Sequence, residues 1–152
     1  MQPEPALRLH IDSDALAHNW RVLDRLSGAA SAGAAVKADG YGLGAARVVP
    51  ALLAAGCRNF FVAHWSEVEP LLALVDPGSI AVLHGPLTAR DANYARSVGV
   101  RPVINSLHQA ALWRDAGGGA CDLMVDTGIN RLGLPLAELA DPLVAGLDID
   151  VL

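Results

Sequence analysis

Residues 34–44 read A-A-V-K-A-D-G-Y-G-L-G, a short apolar run that ends on Lys37, the only lysine of the chain. The ten other basic residues are arginines, which indicates that this one position requires an amine. Unlike a guanidinium, an amine can lose its proton at accessible pH, attack an aldehyde to form a Schiff base, and then carry a proton. We therefore predict a carbonyl compound as the partner of Lys37.

Glycines follow Lys37 at positions 40, 42 and 44, and Tyr41 lies between the first two. Glycine N–H groups can approach a phosphate closely, and the N-terminus of the next helix would face that anion. We therefore expect pyridoxal 5'-phosphate as the cofactor. Tyr41 is expected on the same side of the chain as Lys37, whether the path is extended or helical. The alternative is an ordinary strand-end lysine followed by a glycine turn.

The composition is that of a globular protein with one core, since 152 residues are 53% hydrophobic with a net charge of −5. This acidic balance argues against a nucleic-acid partner. The first ten residues have no basic or apolar signal-peptide region, and no apolar run approaches the roughly 18 residues that span a bilayer. We therefore expect a cytoplasmic protein without a membrane partner.

The cysteines and histidines do not form a metal-binding pattern. Cys57 and Cys121 are far apart and lack ligand spacing, so we expect buried reduced thiols. The five histidines are scattered, and no metal site is predicted. His64 and His84 fall where apolar runs end, and we interpret them as rim or packing residues and not as catalytic groups.

Continuous apolar runs alternate with capped helical patterns along most of the chain. Such runs, without polar alternation, are typical of parallel strands buried on both faces. After the run that ends on Lys37, strands are predicted at 59–63, 80–83, 101–104 and 123–125, and a further strand begins at 148. Residues 7–12 alternate like another short strand. Helices are predicted from a cap at Ser13 or Asp14 to residue 26 and at 45–55, 66–74, 88–97, 106–116 and 135–145, with Pro50 kinking or restarting the second.

Two architectures accommodate this succession, a doubly wound open sheet and part of a (β/α)8 barrel. No G-x-G-x-x-G follows the first buried strand. The motifs that carry chemistry lie at the C-terminal ends of strands, which suits both architectures.

Residues 124–133 read M-V-D-T-G-I-N-R-L-G and place Arg131 in a loop after a predicted strand. A planar, permanently charged guanidinium suits two-point binding of a carboxylate and can hold a phenolate. The alternative is a strand-end turn with a solvated arginine. Asp-Thr-Gly also resembles the active-site loop of aspartic peptidases, but those are all-β enzymes, and here the motif lies among βα units.

Both motifs resemble those of alanine racemases, which are pyridoxal-phosphate enzymes of fold type III. A-V-K-A-D-G-Y-G-L-G keeps the family's Lys-x-x-x-Tyr-Gly-x-Gly frame, and D-T-G-I-N-R-L-G matches D-T-G-x-x-R-x-G. D-S-D-A-L-A-H-N-W and F-V-A-H-W-S-E are also similar to the family, so the resemblance covers essentially the whole chain. It implies an α/β fold that is part of a (β/α)8 TIM-type barrel with parallel strands, with the barrel incomplete in this chain.

The resemblance also implies a division of the chain. Residues 1–27 would form an N-terminal strand and helix leading into the barrel, and residues 28–152 its first five to six βα units. The C-terminal β domain would be absent. In the family the strand at 7–12 lies outside the barrel and joins that domain.

For function, the resemblance implies racemisation of alanine, L to D, by a homodimer. Lys37 would hold pyridoxal phosphate as a Schiff base and move the α-proton on one face, while a tyrosine from the partner subunit serves the other face. Tyr41 would help to hold the cofactor phosphate. Arg131 would contact the cofactor's phenolic oxygen and the substrate carboxylate. Because this chain carries at most one of the two bases, we expect it to be inactive alone.

Departures from the family pattern leave alternatives open. Asp39, Gly40 and Leu43 stand where Asn, Ala and His are more common. Met124 stands where many members have a carbamylated lysine whose negative charge steadies the arginine, so we expect a weaker hold on Arg131. The alternatives are a racemase acting on another small amino acid, such as serine, and a non-catalytic pyridoxal-phosphate-binding barrel module.

Overall fold

Six parallel strands form the main sheet of the protein, whose computed structural model describes residues 6–152. Two further short strands pair with each other in parallel. In the sequence they lie between the fifth and sixth strands of the main sheet. The predicted α/β fold with parallel strands is therefore confirmed. The strands are β1 Ala34–Ala35, β2 Phe60–Val62, β3 Ile80–Val82, β4 Arg101–Ile104, β5 Ala120–Leu123, β6 Val125–Asp126, β7 Leu134–Pro135 and β8 Asp148–Val151.

The order of strands in the main sheet follows their order in the sequence, β1-β2-β3-β4-β5-β8. Each strand lies beside the preceding one, so the connections all advance the sheet in one direction. A doubly wound sheet would instead reverse its strand order at a switch point. The sheet is therefore part of a (β/α)8 barrel, and the C-terminal ends of its strands lie at the end where such barrels hold their active sites.

Helices follow most of the strands, and side-chain caps define where several of them begin. The side chains of Asp12, Thr88 and Ser106 accept N–H hydrogen bonds from the first turns of the helices that follow them. The cap of the first helix is thus Asp12, and the prediction of Ser13 or Asp14 was wrong because both residues are already helical. Across residues 6–152 no helix has the length and apolar character needed to cross a membrane. The helical elements are α1 Ser13–Leu26, α2 Lys37–Tyr41, α3 Ala45–Ala55, α4 Ala89–Val98, α5 Leu107–Asp115 and α6 Pro142–Ala145.

One prediction for the first third of the chain was wrong, and an alternative of a second one is excluded. Residues 7–12 do not form a strand, and Leu7 and Leu9 are 90% and 68% exposed. A strand needs a hydrogen-bonding neighbour, and the described chain provides none for this segment. Helix α3 continues through Pro50, which excludes a restart there, while a kink at Pro50 stays a prediction. The division of the chain at residues 27 and 28 stays a prediction.

Three further predictions failed in the kind or the position of the element. Residues 66–74 were predicted as one α-helix but form the 3-10 turns Trp65–Glu67 and Glu69–Leu71, because Pro70 has no N–H to donate. The segment predicted as helix 135–145 likewise consists of the 3-10 turn Leu136–Glu138 and the short helix α6, which begins at Pro142. The fourth predicted strand, 123–125, lies mainly earlier, at β5.

Apolar side chains form two buried clusters beside the sheet. The first cluster includes Val36, Val49, Phe60 and Ile80, from β1, α3, β2 and β3 and their flanks. The second includes Ile104, Trp113, Cys121 and Val144, from β4, α5, β5 and α6. Cys57 and Cys121 are both buried and free, and burial raises the pKa of the Cys121 thiol to about 12.

A charged cluster is centred on Arg101. Arg101 begins β4, is only 7% exposed, and donates a hydrogen bond to Asn59 Oδ1 at 2.9 Å. Its guanidinium also forms an ion pair with Asp150 of β8 and lies 3.6 Å from Asp122 of β5. Burial raises the pKa of Asp122, and Arg101 opposes that shift. One arginine therefore connects three strands and the residue that precedes β2.

Candidate functional site

Lys37 follows the C-terminal end of β1, with only Val36 between them. Its predecessor Val36 is buried and donates its N–H to the Phe61 carbonyl at 2.8 Å, which extends the pairing of β1 with β2. Lys37 itself is half-buried. The amine therefore belongs to a short edge strand of the sheet, at the end of the barrel where catalytic groups of this architecture are found.

The chain leaves Lys37 through a turn of left-handed helix. Ala38, Asp39, Gly40 and Tyr41 have φ values of 51°, 52°, 64° and 57°. For residues other than glycine this conformation costs roughly 1–2 kcal/mol each. Neither an extended strand nor a right-handed helix, the two paths expected from the sequence, occurs here. These four consecutive residues with positive φ, three of them not glycine, follow Lys37, which indicates that contacts elsewhere hold this backbone in place.

The glycines after Lys37 close the turn and do not present a row of free N–H groups. Gly40 donates its N–H to Val36 O at 2.8 Å, Gly42 to Ala38 O at 2.9 Å and Gly44 to Asp39 O at 2.9 Å. The prediction that these groups cradle a phosphate was therefore wrong. Their positive φ values serve the fold of the turn, which the sequence motif alone could not distinguish from an anion-binding loop.

Asp39 occupies the helix end that was predicted to attract an anion. Its carboxylate accepts the N–H of Ala45, the first residue of α3, at 2.7 Å. A Cβ added at Gly40 would lie 3.0 Å from Val48 Cγ2 of the same helix, so the turn packs tightly against α3. The negative charge that complements this N-terminus comes from the protein itself.

Glu67 joins the left-handed turn to the end of β2, and the sequence analysis missed it. Glu67 Oε1 accepts the N–H of Ala38 at 2.5 Å, and Oε2 accepts those of Ala63 and His64 at 2.7 and 3.0 Å. Partial burial by itself would raise the pKa of Glu67, but the three N–H groups together lower it. The available signal was a glutamate three residues after a strand-end residue, which is half of a capping box.

His64 and His84 lie together at the ends of β2 and β3. Their ring centroids are 4.1 Å apart and the rings are perpendicular. Partial burial lowers the pKa of His84, and the positive charges of His64, Lys37 and Arg131 lower it further, while Glu67 acts in the opposite direction. Lys37 and Arg131 are far apart in the sequence, and both act electrostatically on His84.

Within the turn, Tyr41 places its ring near the amine of Lys37. Lys37 Nζ is 5.9 Å from the centroid of the Tyr41 ring, a distance at which a cation is attracted to an aromatic face. The ring is 64% exposed. The expectation that Tyr41 and Lys37 lie on the same side of the chain therefore agrees with the structure, although the path between them was predicted incorrectly.

Asp126 organises the loop that presents Arg131. Its Oδ1 accepts the N–H groups of Gly128 and Asn130 at 2.9 and 3.1 Å, and these bonds lower the pKa of the carboxyl group. Asn130 has a positive φ of 57°. This arrangement of hydrogen bonds is typical of a turn built on one aspartate, which differs from the paired aspartates of a peptidase. Asp126 is thus occupied by its own loop.

The base of the loop is closed by a tight approach of β6 and β7. Leu134 donates its N–H to Met124 O at 2.8 Å, and a Cβ added at Gly133 would lie 2.6 Å from the N atom of Asp126. The Arg131 side chain is exposed. Within residues 6–152 its guanidinium has no hydrogen bond or ion pair, so the charge is available to a ligand.

Met124 stands at the position for which the sequence analysis noted a lysine in related proteins. It borders an apolar cavity of about 370 Å³. Phe61, Leu83 and Val103 contribute to the same cavity. A thioether carries no charge, so Met124 supplies no electrostatic support to Arg131. In the described chain the structure brings Lys37, Tyr41 and the histidines together, and places Arg131 within electrostatic range of His84.

Comparison with known proteins locates these features in one family. Residues 11–148 match the family model described as the N-terminal domain of alanine racemase. Among curated proteins, the alanine racemase of Methylobacterium nodulans is 46% identical over 139 residues, which is 88% of this chain and 37% of that protein.

Solved structures agree with the sequence comparison. The alanine racemase from Bartonella henselae with covalently bound pyridoxal phosphate superposes with a TM-score of 0.78 at 32% identity, over 93% of this chain and 42% of that one. The biosynthetic alanine racemase from Pseudomonas aeruginosa gives a TM-score of 0.75 at 32% identity, over 85% and 37% of the two chains. The chain thus spans less than half the length of the relatives it matches.

Proposed function

Because this chain belongs to the alanine racemase N-terminal domain family, we propose that it is the portion of a pyridoxal-phosphate-dependent alanine racemase that carries the cofactor lysine. The observation that carries the proposal is the position of Lys37, the only lysine, at the C-terminal end of β1. A barrel of this kind assembles its active site from the ends of several strands.

The residues present at this end fit an anionic aldehyde cofactor in part. Lys37 supplies the amine, the Tyr41 ring lies beside it, and Arg131 has a guanidinium without a partner in the described chain. The N–H groups of Gly40, Gly42 and Gly44 are used within the turn. We therefore propose Tyr41 as a contact of the cofactor phosphate, with other phosphate contacts lying outside this glycine turn.

Lys37 would act twice in the reaction. Its amine first holds the cofactor and, once released, accepts a proton from the α-carbon of the substrate on one face or returns a proton to that face. When bound, pyridoxal phosphate withdraws electrons from that carbon and makes its proton removable. Arg131 would orient the substrate through its carboxylate, because a guanidinium can donate two parallel hydrogen bonds to the two oxygens.

Racemisation also needs a proton-carrying group on the opposite face, because one base alone would restore the starting enantiomer. We propose that a tyrosine of the partner subunit in a homodimer supplies it, as the family resemblance implies, and that the whole protein is cytoplasmic. The 152-residue chain alone would then be inactive. Alanine is the proposed substrate, and serine is the alternative among small amino acids.

Reductive labelling tests the proposal directly. The purified chain is incubated with pyridoxal phosphate, reduced with borohydride and mapped by peptide mass spectrometry. We expect saturable label on Lys37 that is absent in Lys37→Arg, with the N-terminal amine as the competing site. Label confined to the N-terminus would contradict the proposal and would also exclude a non-catalytic module that binds the cofactor through Lys37.

A further inference from the structure

Glu67 is the group that connects the backbone of Lys37 to the rest of the barrel end. One of its oxygens accepts the N–H of Ala38, the residue directly after Lys37, across 29 positions of sequence. The other accepts the N–H groups of Ala63 and His64, at the end of β2. A single carboxylate therefore bridges the C-terminal ends of two neighbouring strands.

The strand that carries Lys37 needs such a bridge. β1 has only two residues and lies at the edge of the sheet, paired with β2 alone. Beyond Lys37 the backbone enters the left-handed conformation, which three residues other than glycine adopt. Asp39 holds the far side of this turn through the N–H of Ala45, whereas Glu67 holds its first residue. Without Glu67 the near side of the turn would depend on the short pairing of β1.

We propose that Glu67 is a positioning residue for Lys37, an inference that rests on the proposed function. Glu67 does not provide the reacting amine; it acts by holding the Ala38 N–H, which fixes the direction in which the chain leaves Lys37. The amine is thereby kept near the Tyr41 ring, 5.9 Å from its centroid, in the arrangement that receives the cofactor. Its effect on Lys37 is carried by the backbone.

A carboxylate suits this position better than an amide. Three N–H donors converge on two oxygens, and hydrogen bonds to a charged acceptor are stronger than those to a neutral one. A glutamine side chain would offer one acceptor oxygen and direct an NH2 group toward the remaining N–H donors. Aspartate would keep the charge, but its side chain is one methylene shorter, so it would retain the local bonds to Ala63 and His64 and lose the one to Ala38.

The first measurement tests the contacts without any cofactor. Amide hydrogen exchange is compared in the wild type, Glu67→Gln and Glu69→Gln, which removes an equal charge from an exposed glutamate two residues away. We expect exchange to rise about tenfold at Ala38 in Glu67→Gln alone, because the one acceptor oxygen of glutamine stays with the local donors Ala63 and His64 and the loss of a charged acceptor weakens the distant bond. Unchanged exchange at Ala38 would overturn the inference.

The second measurement tests positioning of the amine. The pyridoxal phosphate concentration for half-maximal label on Lys37 should rise about tenfold in Glu67→Gln, as the loss of a charge-assisted hydrogen bond implies. Acetylation of Lys37 by acetic anhydride should change little, because that small reagent needs no fixed orientation. Equal half-saturation in Glu67→Gln and the wild type, or an equal shift in Glu69→Gln, would overturn the inference.

Glu67→Asp separates the effect of the bond to Ala38 from the effect of Glu67 on the stability of the chain. It should keep the unfolding midpoint in urea close to that of the wild type and still shift the half-saturation, which a purely structural role would not do. If Glu67→Gln does not fold, Glu67→Asp decides the question, and wild-type labelling by this variant would overturn the inference. Absence of Lys37 label in the wild type would instead contradict the proposed function, while the exchange measurement would still report on the Glu67 bridge.

Discussion

At the candidate site several charged side chains act on one histidine, His84. Lys37, His64 and Arg131 all act on His84 as positive charges, and Glu67 is the carboxylate that opposes them. Such a concentration of titratable groups at the ends of parallel strands is typical of functional sites. Outside this region, the buried thiols of Cys57 and Cys121 have raised pKa values because of burial and remain protonated packing residues.

His84 makes stability depend on pH. Burial and the neighbouring positive charges lower its pKa, so the folded chain binds this proton less readily than the unfolded chain. The contribution of His84 is fully present above its unfolded pKa and is lost as pH falls toward the folded value. Urea unfolding between about pH 7.5 and 5 should therefore show a smaller loss of stability for His84→Asn than for the wild type. His108→Asn, at an exposed position, should follow the wild type, and identical profiles for all three chains would refute the assignment.

At the scale of elements, the left-handed turn and α3 form one unit. The turn ends in Gly44, α3 begins at Ala45, and Asp39 links them through a 2.7 Å hydrogen bond. The sequence indicated both a glycine turn and a helix here, but it assigned the helix N-terminus to a bound anion. Asp39 competes for that role because its side chain is covalently close and already charged.

Removing the Asp39 cap should destabilise the chain. Asp39→Ala leaves the Ala45 N–H without its acceptor and places alanine at a φ of 52°, which asparagine and aspartate adopt more readily. We expect a loss of about 1–2 kcal/mol in the free energy of unfolding, measured in urea. Asp39→Asn keeps an acceptor and should lose less. As a control, Asp76→Ala removes an aspartate that precedes a 3-10 turn without capping it, and a comparable loss there would contradict the explanation.

At the scale of the whole molecule, the strands follow one another in sequence order, and Arg101 links several of them. Arg101 connects β4 to β5, to β8 and to Asn59 before β2. Arg101 begins β4 and Asn59 precedes β2, whereas Lys37 follows β1. The cluster therefore links strands that are far apart in the sequence and contributes to the stability of the sheet.

Arg101→Met should be strongly destabilising because it leaves Asp122, which is 3% exposed, without its neighbouring positive charge. Breaking a buried ion pair from one side costs about 3–5 kcal/mol. The double substitution Arg101→Met with Asp122→Leu should recover part of that loss, because it removes the unpaired charge as well. Urea unfolding of both variants measures the difference. A double variant no more stable than Arg101→Met would show that the charge of Asp122 is not the cause.

The sequence by itself determined the parallel βα succession, most helix starts and the place of Lys37 at a strand end. These features follow from local patterns: continuous apolar runs, capping residues at 88 and 106, and one lysine among ten arginines. Only the tertiary structure decided the left-handed path after Lys37, the Glu67 bridge and the ion pairs of Arg101. Each of the two contacts joins residues far apart in sequence, 29 positions for Glu67 and Ala38 and 49 for Arg101 and Asp150. Local periodicity carries no information about such partners, and the contact of Glu67 with Ala38 helps to hold a backbone conformation that is otherwise unfavourable.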